Sequence, residues 1–152
     1  MYLPPDVAAR ARQGGVAAIA DDILTYGIHG PTRLDIVPML AWDMLGLNVT
    51  PVFGIRNRSD ARLMFERGEA VIDYQATHAY QNRVAPLVDN GIAAPWFTFG
   101  MLDADGIIVR DPNFPNLPSL KEVWEGSLSG VINPIWILKS VVGGLNIKEG
   151  SK

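Results

Sequence analysis

The chain has 152 residues, of which 48% are hydrophobic and 19% charged, a composition typical of one folded domain and not of a disordered segment. Its formal net charge of −3 and the absence of a basic stripe argue against a nucleic-acid partner. Cysteine is absent, which excludes thiolate catalysis, disulfide bonds and cysteine-based metal sites.

The first 22 residues predict a lead-in or crossover segment ahead of the main domain. Pro4 and Pro5 interrupt any regular start, so residues 1–15 are expected to be irregular. Residues 16–22 predict one or two helical turns. The start has no apolar central region of the kind that a signal peptide carries.

Three strand-to-helix passages then follow one another with almost no insertion. The predicted strands span 23–28, 48–55 and 70–75, and each is followed by a helical pattern. This alternation predicts an α/β fold, a three-layer, mostly parallel sheet with helices on both faces, over residues 23–125. Such sheets bind small ligands beyond the carboxyl ends of their strands, where helix N-termini present free amides.

The first of these helices has a cap, a proline and an apolar stripe. Thr32 can cap it, and Asp35 then stands at the third helical position, against the positive helix end. Pro38 removes one backbone donor inside the helix, so we expect a bend. The apolar residues at spacings of three and four predict the buried face: Val37, Leu40, Met44 and Leu47.

The later elements also carry start and stop signals. Ser59 is the predicted cap of the second helix, which Gly68 ends. The third helix is predicted over residues 77–90. It is expected to bury the following residues: Tyr80, Val84, Leu87 and Val88.

Beyond the third helix the pattern changes. Asp105 and Gly106 predict the tight turn of a hairpin. Ser119 followed by Glu122 predicts a capping box at the start of a helix. Residues 126–152 predict a C-terminal helical segment and a crossover tail, whose apolar run is too interrupted to span a membrane.

Catalytic signatures are scarce, and the two histidines are the main candidates for chemistry. The sequence has no nucleophile elbow, phosphate-binding loop, zincin motif or dinucleotide fingerprint. His29 and His78 each follow a predicted strand on the expected ligand side. They can donate hydrogen bonds to an anion, form a metal pair with Asp73, or be exposed loop residues. A third metal ligand is not evident, so neither a metal nor a cofactor is expected.

The turn before the first helix is a candidate anion site. Gly30 and Pro31 precede Thr32, whose hydroxyl and neighbouring amides suit a carboxylate at a helix N-terminus. Thr32 can also serve as an N-cap alone, and the two roles are compatible. Arg33 can add a charge-assisted contact or lie in solvent.

The turn before the third helix is the matching candidate. Gln75, Ala76 and Thr77 form it, and the Gln75 amide can both donate and accept hydrogen bonds. Tyr74 either forms a wall of the ligand crevice or packs in the core. Asp73 points to the opposite face of the strand from Tyr74, so we expect a structural role for it rather than chemistry.

Two stretches resemble a known family. Residues 25–91 are similar to the substrate-binding proteins of tripartite tricarboxylate transporters, the Bug-type receptors, and read TYGIHGPTRLDIVPMLAWDMLGLNVTPVFGIRNRSDARLMFERGEAVIDYQATHAYQNRVAPLVDNG. Residues 111–123, DPNFPNLPSLKEV, are similar to a proline-punctuated stretch of that family. The resemblance covers roughly residues 16–125.

The resemblance implies a two-lobed periplasmic receptor of the type II periplasmic-binding-protein plan, of which this chain is one lobe, truncated at both ends. It implies that the turns 29–33 and 75–78 meet a carboxylate through backbone amides, hydroxyls and ordered water. Arg33 departs from the small residue expected there. The implied partners are a small organic acid and the permease subunits of a membrane transporter. The implied location is the periplasm, with the signal peptide absent from this chain.

Three functions compete on this sequence. The first is the solute-binding lobe, which is not an enzyme. The second is an α/β signalling or protein-interaction domain, marked by an exposed apolar face. The third is a small hydrolase or lyase that uses His29 or His78 with Asp73 and needs a contact between them. An unfinished sheet edge favours association, so a homodimer of the lobe is also considered.

Overall fold

The computed structural model describes residues 1–30 and 34–128, and its fold is mixed α/β as predicted. The strands are β1 Tyr2–Leu3, β2 Leu24–Ile28, β3 Val49–Phe53, β4 Ala94–Pro95, β5 Met101–Leu102 and β6 Ile108–Val109. The helices are α1 Pro5–Gly14, α2 Ile36–Met44, α3 Arg58–Glu66, α4 Thr77–Ala79, α5 Ala85–Asp89 and α6 Leu120–Leu128. A 3₁₀ helix, Val16–Ile19, follows α1, and a π turn, Tyr80–Val84, joins α4 to α5.

Some predictions fall outside the described residues, namely those for Pro31, Thr32 and Arg33 and for the tail from residue 129 onward. Of the helices within residues 1–30 and 34–128, none has the length and apolar character needed to cross a lipid bilayer.

Strands β2 and β3 form a parallel pair, as the alternation of elements predicts. Their register runs from Leu24 opposite Val49 to Ile28 opposite Phe53, and α2 lies between them in the chain. Strand β1 pairs with β4, and β5 with β6, both antiparallel. The described strands therefore form three two-stranded sheets, one of them parallel.

The strand predicted over residues 70–75 is not formed, although this segment lies beside β2. Val71 and Ile72 both donate their N–H groups to the Thr25 carbonyl, at 2.8 and 3.1 Å. Tyr2 and Asp73 exchange two backbone hydrogen bonds in an isolated antiparallel bridge. The segment thus bonds to β1 and to β2, but it makes too few regular bonds with either strand to extend a ladder.

A helix contacts each face of β2. On one face, α2 buries Trp42 against the alternate side chains of the strand: Leu24, Tyr26 and Ile28. On the other face, Gly27 lies against α3, and a Cβ atom at Gly27 would stand 3.1 Å from Met64 Sδ. Glycine at this position therefore lets α3 approach the strand closely.

The buried face of α2 differs from the predicted one. The helix begins at Ile36, so Pro38 stands in its first turn, where no backbone N–H is needed and the expected bend has no cause. Trp42 is fully buried, and Leu47, just beyond the helix, is buried as predicted. The other residues predicted to face the core are exposed: Val37, Leu40 and Met44. The indole ring of Trp42 therefore packs in the core, and the predicted aliphatic stripe faces solvent.

The first 15 residues are more regular than predicted. Helix α1 begins at Pro5, which is favourable at the first helical position because its missing N–H has no partner there in any case. Tyr2 and Leu3 of β1 are fully buried. The two prolines therefore begin a helix instead of preventing one.

The start of α3 is capped by Asn57 and not, as predicted, by Ser59. The Asn57 Oδ1 accepts hydrogen bonds from the N–H groups of Ser59 and Asp60, at 2.9 and 3.1 Å. Gly68 follows the helix with a φ of 73°, which confirms the predicted stop.

The helix predicted over residues 77–90 is formed by α4, the π turn and α5, together called helix 77–89 below. Val84 and Leu87 are buried, as predicted. Pro86 has no N–H to offer the carbonyl four residues earlier, and the π turn just before it accommodates this gap. Gly91, with a φ of 70°, lies just beyond the end.

The predicted hairpin and capping box are both confirmed. Strands β5 and β6 flank the turn at Asp105 and Gly106. At the start of α6, the Glu122 Oε2 accepts a bond from the Ser119 N–H at 2.8 Å, and the Ser119 Oγ accepts one from the Glu122 N–H at 3.3 Å. These reciprocal bonds satisfy two backbone donors that the helix itself cannot.

Ser119→Ala is expected to lower the free energy of unfolding by about 1 kcal/mol, because it removes this cap. Ser127→Ala is the control, since Ser127 lies inside α6 and its hydroxyl only bonds back to the Trp124 carbonyl. Urea unfolding of both variants measures the difference. Equal stability of Ser119→Ala and the wild type would contradict the role of the cap.

The same cap has a pH dependence. The Arg110 guanidinium and then the Ser119 N–H lower the pKa of Glu122 from 4.5 to about 2. The pKa of Glu122 is lower in the folded state than in the unfolded state. Its ionised carboxylate therefore stabilises the fold above pH 4.5, and this stabilisation is lost as the pH falls toward about 2. Glu122→Gln should reduce the dependence of the free energy of unfolding on pH in this range, which urea unfolding at several pH values measures.

Candidate functional site

A cavity with a volume of ≈ 200 Å³ opens at the start of helix 77–89. Residues 74–77 form one side of it, and residues 97–100 with Phe114 form much of the other. The structure therefore brings four of the predicted binding residues together around one cavity: Tyr74, Gln75, Ala76 and Thr77.

Aromatic rings make up much of the cavity wall. Tyr74 meets Phe99 edge to face with 5.9 Å between ring centroids, and Tyr80 meets Phe114 in the same way at 5.1 Å. Asp111 also lines the cavity. Such a wall suits the apolar body of a small ligand, and its few polar groups would orient the ligand.

The start of helix 77–89 supplies hydrogen-bond donors beside the cavity. The first bond at this end joins the Tyr80 N–H to the Ala76 carbonyl at 2.8 Å. The N–H groups of residues 77–79 precede it and have no acceptor within the helix. Of these three residues Thr77 lines the cavity, so its N–H and its hydroxyl are the donors there that suit a carboxylate.

Three of the other predicted binding residues, all within the described part of the chain, do not line this cavity: His29, Gly30 and His78. His29 is exposed directly after β2, and Gly30 follows it. His78 is exposed as well, and its ring lies 3.3 Å from the Asn82 Nδ2 atom. The structure therefore gathers residues 75–77 of the second predicted turn into a cavity, while His29 and Gly30, the described residues of the first turn, lie outside it.

A buried ionic cluster, which sequence analysis did not identify, lies at the carboxyl end of β2. Arg58, the first residue of α3, donates through Nη1 to the Gly27 carbonyl at 2.8 Å and to Asp35 Oδ1 at 3.1 Å. Through Nη2 it donates to the Asp73 carboxylate and to the Tyr74 carbonyl, the latter at 3.1 Å. One guanidinium thus holds acceptors from three separate segments.

Asp35 is the carboxylate on the first side of this cluster, and its side chain is only 2% exposed. Its Oδ2 accepts a bond from the His29 N–H at 2.8 Å, and its Oδ1 accepts one from the Tyr26 hydroxyl at 3.2 Å. The prediction that Asp35 stands at the third helical position is wrong, because α2 begins only after it. Its carboxylate therefore accepts hydrogen bonds from these donors and does not act at the third position of α2.

Asp73 is the carboxylate on the second side, and it is fully buried. It accepts hydrogen bonds from the Tyr2 hydroxyl and, at 3.2 Å, from the Gln75 Nε2 group. Burial raises the pKa of the Asp73 carboxyl, while Arg58 and these hydrogen bonds oppose that rise. Burial also raises the pKa of the phenol groups of Tyr2 and Tyr26, which therefore stay protonated and donate.

The Gln75 side chain also belongs to this cluster, since its Nε2 donates to the Arg58 carbonyl at 2.8 Å. Its donors are thus directed inward and not at a ligand. The guanidinium carbon of Arg58 lies 4.9 Å from the ring centroid of Tyr26 and 5.6 Å from that of Tyr74, within cation–π range. We call these residues the Arg58 cluster: Arg58, Asp35, Asp73, Tyr2, Tyr26, Tyr74 and Gln75.

The features that a hydrolase or a metal site needs are not found in the described residues. Within residues 1–30 and 34–128, neither His29 nor His78 forms a hydrogen bond or ion pair with a carboxylate through its ring, and Asp73 is bound by Arg58 instead. The same residues contain no group of three or more histidine, aspartate or glutamate side chains placed to hold a metal ion.

Comparison with known proteins adds no relative: no family model, no curated protein and no solved structure matches this chain.

Proposed function

We propose that this chain is one lobe of a solute-binding receptor, which binds a small organic acid and passes it to a membrane permease. The observation that carries the proposal is the cavity at residues 74–77, which lies at a helix start and contains the second of the two turns that the resemblance to Bug-type receptors implicates. The proposal includes export to the periplasm and involves no enzymatic reaction.

A finer fold belongs to this proposal, namely a three-layer lobe of the type II periplasmic-binding-protein plan. In such a lobe a mostly parallel sheet lies between helices. Two features support it: the parallel pair β2 and β3, and the contacts that α2 and α3 make with opposite faces of β2. Segment 70–75, bonded to Thr25 of β2, would be the next position in that sheet.

The proposed binding mode places the carboxylate of the ligand at the start of helix 77–89. There the N–H and the hydroxyl of Thr77 donate to its oxygens, and the helix dipole favours the negative charge. Tyr74 and Phe99 pack against the rest of the ligand. Asp111 repels a carboxylate from its own side, which directs the acid toward Thr77.

The predicted affinity of this lobe is weak, with a dissociation constant in the millimolar range or higher. Two-lobed receptors close around their ligand by hinge motion, and one lobe offers only part of the contacts. Ligand at a concentration equal to its dissociation constant would stabilise the fold by only about 0.4 kcal/mol, and tenfold more ligand by about 1.4 kcal/mol.

Thermal unfolding with a panel of mono-, di- and tricarboxylates tests the proposal, with sodium chloride at equal ionic strength as the reference. We expect at least one acid to stabilise the fold slightly, by an amount that keeps rising with the logarithm of its concentration above the dissociation constant. Thr77→Val should weaken this stabilisation by removing the hydroxyl donor. Thr50→Val is the matched control, because Thr50 is exposed on β3 and does not line the cavity.

Two results would contradict the proposal in different ways. Stabilisation by no acid beyond the salt reference would reject the binding function. A melting shift of many degrees with a simple dicarboxylate would reject the weak, half-site character of the lobe.

A second candidate, a protein-interaction domain, is favoured by one observation. Helix α2 and the residues just before it expose an apolar face made of the following residues: Leu34, Ile36, Val37, Leu40 and Met44. Exposed apolar patches mark interaction surfaces. The same face would suit contact with the other lobe of a receptor, so saturable binding of an acid is the result that distinguishes the two candidates.

A further inference from the structure

We infer that Arg58 is a positioning residue, which fixes the end of β2 relative to the turn at residues 74–77 and so sets the geometry of the ligand site. The inference rests on the proposed function in one respect only: it takes these two segments to be the ligand-facing ones.

The first side of this linkage is the segment that leaves β2. Arg58 Nη1 donates to the Gly27 carbonyl at 2.8 Å and to Asp35 Oδ1 at 3.1 Å. The other oxygen of Asp35 accepts the His29 N–H at 2.8 Å. The backbone at residues 27–29 is therefore tied to the guanidinium both directly and through Asp35.

The second side is the segment that enters helix 77–89. Arg58 Nη2 donates to the Asp73 carboxylate and, at 3.1 Å, to the Tyr74 carbonyl. The Gln75 Nε2 group donates back to the Arg58 carbonyl at 2.8 Å and to Asp73 Oδ2 at 3.2 Å. Both the side chain and the backbone of Arg58 thus fix residues 73–75.

The chemistry of the side chain explains why arginine stands here. A guanidinium is planar and presents its N–H groups in a rigid fork, so that Nη1 and Nη2 serve the two sides in one fixed geometry. The rings of Tyr26 and Tyr74 lie within 4.9 and 5.6 Å of its central carbon and restrict it further. A lysine ammonium carries the same charge but does not have the fork.

Arg58 does not line the cavity, so its effect on a ligand must be indirect. Tyr74 and Gln75, whose positions it fixes, do line the cavity. A shift of these two residues moves the wall and the start of helix 77–89 away from the arrangement that a ligand meets. Binding sites lose affinity when the groups that support the contacting residues are removed.

The test compares Arg58→Met and Arg58→Lys with two control variants. Arg62→Met removes another arginine of α3, whose side chain is similarly buried (17% exposed against 24% for Arg58) but pairs only with Glu66 on the same helix. Ile19→Val lowers the stability of the fold from a fully buried position in the 3₁₀ helix, outside the Arg58 cluster. The four variants separate loss of positioning from loss of a charge or of stability.

The first readout needs no ligand. Arg58→Met should change the amide resonances of residues 27–29 and 73–76 and speed the hydrogen exchange of the His29 N–H. Arg58→Lys should give smaller changes at the same amides, and it remains informative if Arg58→Met fails to fold. Arg62→Met and Ile19→Val should leave these amides unchanged. Uniform changes in all four variants, or none in the Arg58 variants, would overturn the inference.

The second readout is binding of a carboxylate that the wild type binds. Arg58→Met should raise its dissociation constant roughly tenfold, Arg58→Lys should recover part of this loss, and the two controls should bind like the wild type. Equal affinity of Arg58→Met and Arg62→Met would overturn the inference. If the wild type binds no acid, the proposed function fails, and the amide readout still decides whether Arg58 positions the two segments.

Discussion

Asp73→Ala is expected to lower the free energy of unfolding by about 3–5 kcal/mol, the cost typical of removing one partner of a buried ion pair. The carboxylate accepts hydrogen bonds from three side chains, those of Arg58, Tyr2 and Gln75. Alanine would take one acceptor from each of these donors at a fully buried position, and unsatisfied buried donors are costly. Urea unfolding measures the loss.

Two further variants make this result specific. Glu69→Ala breaks the pair between Arg67 and Glu69, which is about half exposed on both sides, and should change stability little. Adding Arg58→Met to Asp73→Ala should lower the stability further, because Arg58 still pairs with the buried Asp35 carboxylate and its removal leaves that carboxylate without a charge partner. An Asp73→Ala variant that is as stable as Glu69→Ala would show that the Arg58 cluster does not form as described.

The second large effect is expected at Trp42, for which Trp42→Ala should cost about 3–5 kcal/mol. The indole is fully buried and meets the Tyr26 ring edge to face at 4.6 Å between centroids. Trp42→Phe should cost less, since it keeps an aromatic ring and removes an indole N–H that has no hydrogen-bond partner among the described residues.

Leu40→Ala is the matched control for Trp42, because the two residues lie on the same helix. Leu40 is 56% exposed, so its truncation should change the free energy of unfolding by no more than about 0.5 kcal/mol. A loss at Leu40 as large as that at Trp42 would mean that α2 buries the aliphatic face predicted from the sequence and not the indole face.

Local signals in the sequence predicted much of the fold. Strands β2 and β3, the hairpin at Asp105 and Gly106, and the capping box at Ser119 all follow from patterns within a few residues. Such patterns act through neighbouring backbone groups, so the rest of the fold hardly alters them.

The predictions that were wrong concern features that tertiary contacts determine, namely which face of α2 is buried and whether residues 70–75 join a sheet. The periodicity of α2 indicated an amphipathic helix, but apolar residues stand on more than one side of it, and only packing places Trp42 in the core. Residues 70–75 have a strand-like pattern, yet they share their hydrogen bonds between Thr25 and Tyr2. A pattern with a period of two predicts an extended chain, but it does not specify the partner that would complete a ladder.

The Arg58 cluster shows the same limit at the candidate site. Arg58 is 23 residues from Asp35 and 15 from Asp73, and in the sequence it looks like one member of a mixed, solvated charge patch. One signal was available, since Asp73 lies in one predicted strand, Asp35 follows another, and Arg58 stands directly before the predicted cap of a helix. Sheet topology alone brings these three positions to one place.

The measurement that tests the central claim most directly is an amide-resolved NMR titration of the chain with mono-, di- and tricarboxylates against a chloride reference. The account predicts saturable shifts centred on the cavity, at residues 74–78 and 97–100, for at least one acid. No shift at these amides from any acid at tens of millimolar would contradict it, and the carboxylate-binding lobe would then have to be abandoned.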